Sequence, residues 1–304
     1  MKIHTILAPT DFSWGSSVSS RTAVSLAEKL AAKVQLLHVV ECPPVFAYAP
    51  IGDGTAAEWS HNDETLSRGR DQLAKFREGL QADVEVECQT VLGLGNTGGD
   101  IVKVAESCAA DLIVMATHGR TGFAHALIGS IAERVVRTAK CPVLTLKAPE
   151  QRNAPSMERS QVRRILYATD LSESSHEALL CAQYLRDLFD AELDALFVME
   201  NLEQYPSIPW EYLPIPGNVT LPQHQAEQAE ARLREHVAAA GPVNTILRRG
   251  TSYHEIVDQA HASQADVIVL STHGHTGLRH TLLGSVAEKV VRLAQCPVLT
   301  LAQS

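Results

Sequence analysis

The sequence predicts an α/β protein of two tandem doubly wound domains, each built on a five-stranded parallel sheet. Three observations predict it. At 304 residues the chain is about two domains long. It also repeats itself: residues 116–146 and 271–301 match at 21 of 31 positions and both end in "CPVLTL". Within each copy, short apolar runs alternate with helically spaced segments, the pattern of β-helix-β units.

The repeat reaches the start of each copy. "TILAPTDFS" (5–13) answers "RILYATDLS" (164–172), "LLHVVE" (36–41) answers "ALFVME" (195–200), and Gly93 answers Gly250. The offset drifts from 159 through 157 to 155, so small insertions and deletions fall in loops between fixed elements. The period is far above the roughly 20–50 residues of a solenoid, so this is a duplicated domain. "KAPEQRNAPSMERSQ" (147–161) is polar, holds two prolines and has no counterpart. The expected organisation is therefore a first domain over 1–147, a linker over 148–162 and a second domain over 163–304.

In the first half, residues 3–8 form a short β-branched run ended by Pro9. Residues 14–32 carry Val18, Ala23, Leu26 and Leu30 at helical spacing. Residues 34–40 are a near-continuous apolar strand. A Pro- and Gly-rich loop follows. Then come a polar helix near 62–80, a strand over 84–91, a helix near 100–109, a strand over 112–116, a helix over 130–139 and a strand over 143–146. The second half repeats this order. The strands read as apolar throughout rather than alternating, as in a parallel sheet covered on both faces. Right-handed crossovers then give the doubly wound arrangement.

Composition narrows the function. The formal charge is -9, with no run of Lys or Arg, which argues against nucleic acid or an anionic membrane as the main partner. No apolar run reaches the roughly 18 residues of a membrane span, and the N-terminus does not read as a signal peptide. Six cysteines without a CxxC pair read as reduced, buried thiols, which predicts a cytoplasmic protein.

Doubly wound sheets bind ligands outside the carboxyl ends of their strands, where the winding reverses. With the first and fourth strands adjacent, that crevice has two lips. One follows strand one (Pro9, Thr10, Asp11; Ala168, Thr169, Asp170). The other follows strand four: "ATHGRTGFAHALIGS" from Ala116 to Ser130 and "STHGHTGLRHTLLGS" from Ser271 to Ser285. Glycines let backbone approach a ligand closely, and a helix N-terminus offers unpaired amides to an anion. Gly119, Gly129 and Ser130, with Gly274, Gly284 and Ser285, therefore suit a phosphate cradle. The same residues have a structural reading. Ser130–Glu133 and Ser285–Glu288 are both S-x-x-E, the capping-box pattern. Asp11 and Asp170 suit either a turn or a carboxylate accepting ribose or amine hydrogen bonds. Val39 and Val198, ending strand two, are core valines or backbone partners of a base.

Together these residues resemble the universal stress protein family in its tandem two-domain form, over nearly the whole chain. Nucleotide-binding members of that family carry G-x-x-G, nine residues, then G-[ST]. Here the spacing is kept twice, with Ala116 and Ser271 in place of the leading glycine. The resemblance implies the adenine-nucleotide α-hydrolase-like fold, with the two domains paired through "CPVLTLK" (141–147) and "CPVLTLA" (296–302) as an intramolecular pseudo-dimer. It implies ATP, ADP or AMP as ligand, with Mg accompanying the phosphates. Gly119, Gly129 and Ser130 would line the phosphates, with Arg120 and Ile131 beside them, while Asp11 and Val39 face adenosine and His118 borders the site. Gly274, Gly284, Ser285, His275, Val286, Asp170, Val198 and His273 match them in the second half.

Other patterns carry less. "GLGNTGG" (93–99) contains G-x-G-x-x-G but follows the third strand, so it is no dinucleotide fingerprint. His273, His275 and His280 lie close in sequence, but only His118 and His125 match in the first half, so a metal site is not expected. The expected function is a stress or signalling protein in which the nucleotide acts as a conformational switch. A slow ATPase and a scaffold with empty pockets are the alternatives. Association of two chains into a homodimer is compatible with all three.

Overall fold

The computed structural model describes residues 2–41, 56–118, 128–147, 162–200, 221–272 and 284–302. The first half runs β1 (Thr5–Pro9), α1 (Trp14–Leu30), β2 (Lys33–Glu41), α2 (Ala56–Glu78), β3 (Val86–Gly93), α3 (Thr97–Ser107), β4 (Leu112–Ala116), α4 (Ser130–Thr138) and β5 (Val143–Leu146). The second runs β6 (Arg164–Thr169), α5 (Ser174–Phe189), β7 (Glu192–Met199), α6 (Leu221–Val237), β8 (Asn244–Arg249), α7 (Ser252–Ala262), β9 (Val267–Ser271), α8 (Ser285–Leu293) and β10 (Val298–Leu301).

All ten strands form one sheet in the order β3-β2-β1-β4-β5-β10-β9-β6-β7-β8. Each half is a parallel five-stranded sheet, as the sequence predicts, with its first and fourth strands adjacent, as the doubly wound class leads one to expect. The halves meet at β5 and β10, the one antiparallel pair among the described residues, with Leu144 opposite Leu299. This is the pairing through the last strands that the resemblance implies. Thr145 Oγ1 donates to Val298 O (3.1 Å), and Thr300 Oγ1 donates to Val143 O (3.2 Å). Both hydroxyls are buried, so bonding across the seam offsets their desolvation.

Side-chain alternation on these strands fills two cores, one on each face of the sheet. The first lies under α1, α2, α5 and α6 and includes Ile6, Val34, Leu73, Ile165, Tyr167 and Leu233. The second lies under α3, α4, α7 and α8 and includes Leu7, Ile113, Val135, Leu166, Ile268 and Val290. Leu144 and Leu299 belong to the first core, Val143 and Val298 to the second, so both cores cross the seam. The Lys29 ammonium, 5.1 Å from the Phe189 ring centroid, ties α1 to α5 across the same line.

Some expectations are corrected. β3 and β8 form the outer edges of the sheet and are only partly covered, so the strands are not apolar throughout. The helix expected near 100 starts at Thr97, because Asn96 Oδ1 caps it through the Gly99 amide (3.2 Å). That cap places "GLGNTGG" at a helix start after strand three. Among the described residues, Cys181 alone of five free cysteines is buried, and Cys88 is exposed. Burial pushes the Cys181 thiol up to about 12 and those of Cys141 and Cys296 up to about 11. Protonated thiols of this kind are poor nucleophiles. The expected linker lies outside the described residues except for Val162, which packs in the first core. Among the described residues no helix is long and apolar enough to cross a membrane.

One feature repeats at the opposite end of the strands. Asp111, just before β4, accepts on Oδ2 from the amides of His4 (2.7 Å) and Thr5 (3.0 Å). Asp266, just before β9, does the same for Arg163 (2.7 Å) and Arg164 (2.9 Å). Each carboxylate satisfies amides at the entrance of a central strand and fixes it against its neighbour.

Candidate functional site

β1 and β4 lie side by side, but the helices that follow them pack on opposite faces of the sheet. Their exits diverge and leave a crevice at the carboxyl edge. β6 and β9 repeat this arrangement in the second half.

The first lip is a tight turn. Thr10 Oγ1 accepts from the Phe12 amide (3.0 Å), and Asp11 Oδ1 accepts from the Ser13 amide (3.0 Å). Phe12 sits at φ 63, a left-handed conformation costing a non-glycine residue roughly 1–2 kcal/mol. The two side-chain bonds hold it there. The second half is built alike: Leu171 at φ 63, its amide on Thr169 Oγ1 (2.9 Å), and the Ser172 amide on Asp170 Oδ1 (3.0 Å). The Thr10 and Thr169 hydroxyls are buried and also donate to Ser16 Oγ and Ser175 Oγ. Pro9 and Ala168 end or nearly end their strands just beneath. Asp11 and Asp170 are half-buried at the lip. Each forms the turn expected of it, and a carboxylate has acceptor sites enough for turn and ligand together.

The second lip is closed by a glycine. The Gly129 amide donates to Thr117 O (2.8 Å), and a Cβ at Gly129 would lie 3.0 Å from that same oxygen. Gly284 donates to Thr272 O (2.8 Å), where a Cβ would lie 2.7 Å away. Thr117 and Thr272 are themselves fastened to the neighbouring strand through Leu146 O and Leu301 O. The chain thus returns to the point where it left strand four; a Cβ would crowd the return at Gly129 and clash with it at Gly284.

Gly129 is the N-cap of α4 and Gly284 that of α8, and neither helix has a side-chain cap. The capping boxes expected from S-x-x-E are therefore not formed. Ser130 and Ser285 are the first helical residues, exposed, with Ile131 and Val286 next. The Glu133 and Glu288 amides, which capping serines would satisfy, donate instead to Gly129 O (2.9 Å) and Gly284 O (3.1 Å), and the first-turn amides before them have no acceptor within their own helix.

Ala116 and Ser271 end β4 and β9, partly buried. His118 is half-buried, with Nδ1 3.0 Å from Thr117 Oγ1. Val39 lies in β2 and Val198 in β7, on the side of the second core. Of the candidate residues, Gly119, Arg120, His273, Gly274 and His275 lie outside the described residues, as do His125 and His280. Among the described residues no cluster of metal-ligating side chains occurs.

Several features at these edges escape sequence reading. Thr97 Oγ1 donates to Glu41 Oε1 (2.9 Å), and Ser252 Oγ donates to Glu200 Oε1 (2.8 Å). Both tie the end of strand two to the helix after strand three, and the internal repeat was the signal that could have shown the pair. Beneath the first lip each half buries a polar node of its own: in the first, His38 Nδ1 lies 2.9 Å from Thr10 O, and in the second the node is built on Tyr167 and His236. Tyr167 OH donates to Ser175 O (2.8 Å) and lies 2.9 Å from His236 Nε2, which therefore carries the proton. Burial pushes the Tyr167 phenol up to about 12. Burial, then the nearby His176, holds His236 below the ordinary imidazole value, against the opposing pull of Asp170. The unfolded chain therefore takes up this proton first, so the contribution is complete above the ordinary imidazole value and is lost as pH falls from there through the lowered value of the folded chain. Melting temperatures at about pH 7.5 and about pH 5.5 should differ less in His236→Gln than in the native chain.

A sequence profile of the universal stress protein family matches residues 2–147 and 161–301. The chain belongs to the universal stress protein family. Among universal stress proteins, MJ0531 of Methanocaldococcus jannaschii is 35% identical over 147 residues, 48% of this chain and 83% of that one. Rv2005c of Mycobacterium tuberculosis aligns end to end: 24% identical over 320 residues, 100% of this chain and 98% of that one. A universal stress protein structure from Archaeoglobus fulgidus superposes with a TM-score of 0.66 at 21% identity, covering 100% of this chain and 97% of its own. The tandem universal stress protein fold thus matches as one piece.

Proposed function

We propose that this universal stress protein binds an adenine nucleotide, ATP foremost, at the carboxyl edge of its sheet. On this reading Asp11 and Val39 take the adenosine, while Gly119, Gly129 and Ser130 take the phosphates with any accompanying Mg. Asp170, Val198, Gly274, Gly284 and Ser285 are the matching set. The observation that supports it best is the start of α4 and α8. Each helix opens at the crevice rim on a glycine with no side-chain cap. First-turn amides and the helix dipole then favour an anion. Domains over 1–147 and 163–304, joined by the linker 148–162, each supply one crevice, and a reduced cytoplasmic setting suits the free thiols.

A nucleotide held there bears on the turn at Thr10–Ser13 and on the chain between strand four and its helix. Occupancy thereby biases the conformations that a partner would meet, which is what a switch requires. The test is to denature the purified chain, identify any released nucleotide, and titrate ATP by calorimetry. Gly129→Val, whose side chain would push Thr117 and α4 apart, should weaken binding at the first crevice by at least about tenfold. No released nucleotide together with no heat of ATP binding would end this reading.

A further inference from the structure

The two halves also differ beside strand two, where the crevice would take the base. In the first, Val39 of β2 pairs in register with Val91 of β3. In the second, the matching Val198 pairs with Arg248 of β8. Neighbours in register on parallel strands lie about 4.8 Å apart with side chains on the same face. The Arg248 side chain lies on the face that carries Val198, because its partners are on α7. Nε and Nη2 donate to Gln259 Oε1 (3.1 and 2.6 Å), and Nη1 stands 3.7 Å from Glu255 Oε2.

The first half has nothing of this kind. Gln259 occupies the place of Val104, and Glu255 that of Asp100, at the offset of 155 that relates α3 to α7. Gln259 is 9% exposed and Val104 is 7% exposed, so a buried amide stands where the repeat has a valine. Burying that amide requires a partner, and Arg248 supplies it. Arginine and glutamine are thus one coordinated replacement. They hold the guanidinium down on α7 beside Val198, which is buried, whereas Val39 remains partly exposed.

We infer that the two crevices are inequivalent, and that Arg248, clamped by Gln259 and Glu255, closes the base end of the second one. This rests on the adenine-nucleotide reading. The first crevice keeps an apolar floor of Val39 and Val91 for the flat face of a purine. The second presents a cation held through Nε and Nη2 on Gln259 and facing Glu255 through Nη1, so a base entering there must displace or desolvate it.

The test is calorimetric titration with ATP of the native chain, of the double variant Arg248→Val/Gln259→Val, which restores the first-half residues, and of Arg248→Met, which keeps the stem and removes the charge. The native chain should bind one ATP tightly. Either variant should gain a second site at least about tenfold tighter than the native second site. The two variants differ in bulk and polarity, so a folding defect in one, seen as a lost thermal transition, leaves the other to decide. Two equal sites in the native chain would overturn the inference. So would variants that stay at one site, or a second site that weakens when Arg248 is removed, which would mean that the guanidinium stacks on the base. Absence of ATP binding in all three chains would overturn the nucleotide reading itself, and this inference with it.

Discussion

Leu144→Asp is expected to lower the stability of the chain by more than about 4 kcal/mol, measured as the shift of the urea midpoint followed by far-UV circular dichroism. Leu144 is 4% exposed and lies in register with Leu299, also 4% exposed, across the seam between the halves. Truncating such a leucine alone costs about 2–5 kcal/mol. An ionised carboxylate adds its own desolvation, with no cation opposite to meet it. Native proteins hold only about 5–15 kcal/mol in total, so the variant should be mostly or wholly unfolded at moderate temperature. The volume-conserving Leu144→Met should cost less than about 1.5 kcal/mol. Because both cores cross the seam, the native chain should unfold in one transition. A Leu144→Asp chain with an unchanged midpoint would show that β5 and β10 do not pair as described.

Asp111→Ala and Asp266→Ala should each cost about 2–3 kcal/mol, and the double variant close to the sum, since the sites are far apart. Each carboxylate accepts two strand-entrance amides at 2.7–3.0 Å. Its removal leaves both without a charged acceptor at the start of a central strand. The amides at His4 and Arg163 are exposed and regain water, while those at Thr5 and Arg164 are partly buried and regain less. Amide hydrogen exchange separates the effects: protection should fall most at Thr5 and Arg164 and least in α4 and α8. Loss of protection spread evenly over the molecule would instead indicate a general weakening.

What the sequence made legible was what the chain says twice. The five strands per half follow from apolar runs, helical spacing and duplication, whereas the adjacency of first and fourth strands, and with it the place of the crevice, comes from the doubly wound class and not from any residue. The seam through the last strands came from the family resemblance. The misread parts share a physical cause, which is dependence on partners distant in sequence. S-x-x-E at Ser130 reads as a capping box only until Gly129 is seen drawn onto Thr117 O, which makes the glycine the cap. Asp111 shows nothing in its own neighbourhood of the amides it holds more than a hundred positions earlier. Arg248 looks like an ordinary charge on an edge strand until strand register and helix packing set it beside Val198 and Gln259. His236 lies on a polar helix, and its place beneath Tyr167 depends on how α6 settles on the sheet.

The antiparallel seam has a consequence for anything that visits both halves. Strands on either side of it run in opposing directions, so their carboxyl ends finish at opposite margins of the ten-stranded sheet. The two mouths therefore point away from each other, back to back, with the full depth of the sheet between them. No small molecule can touch both at once, and any news of occupancy must travel through the sheet.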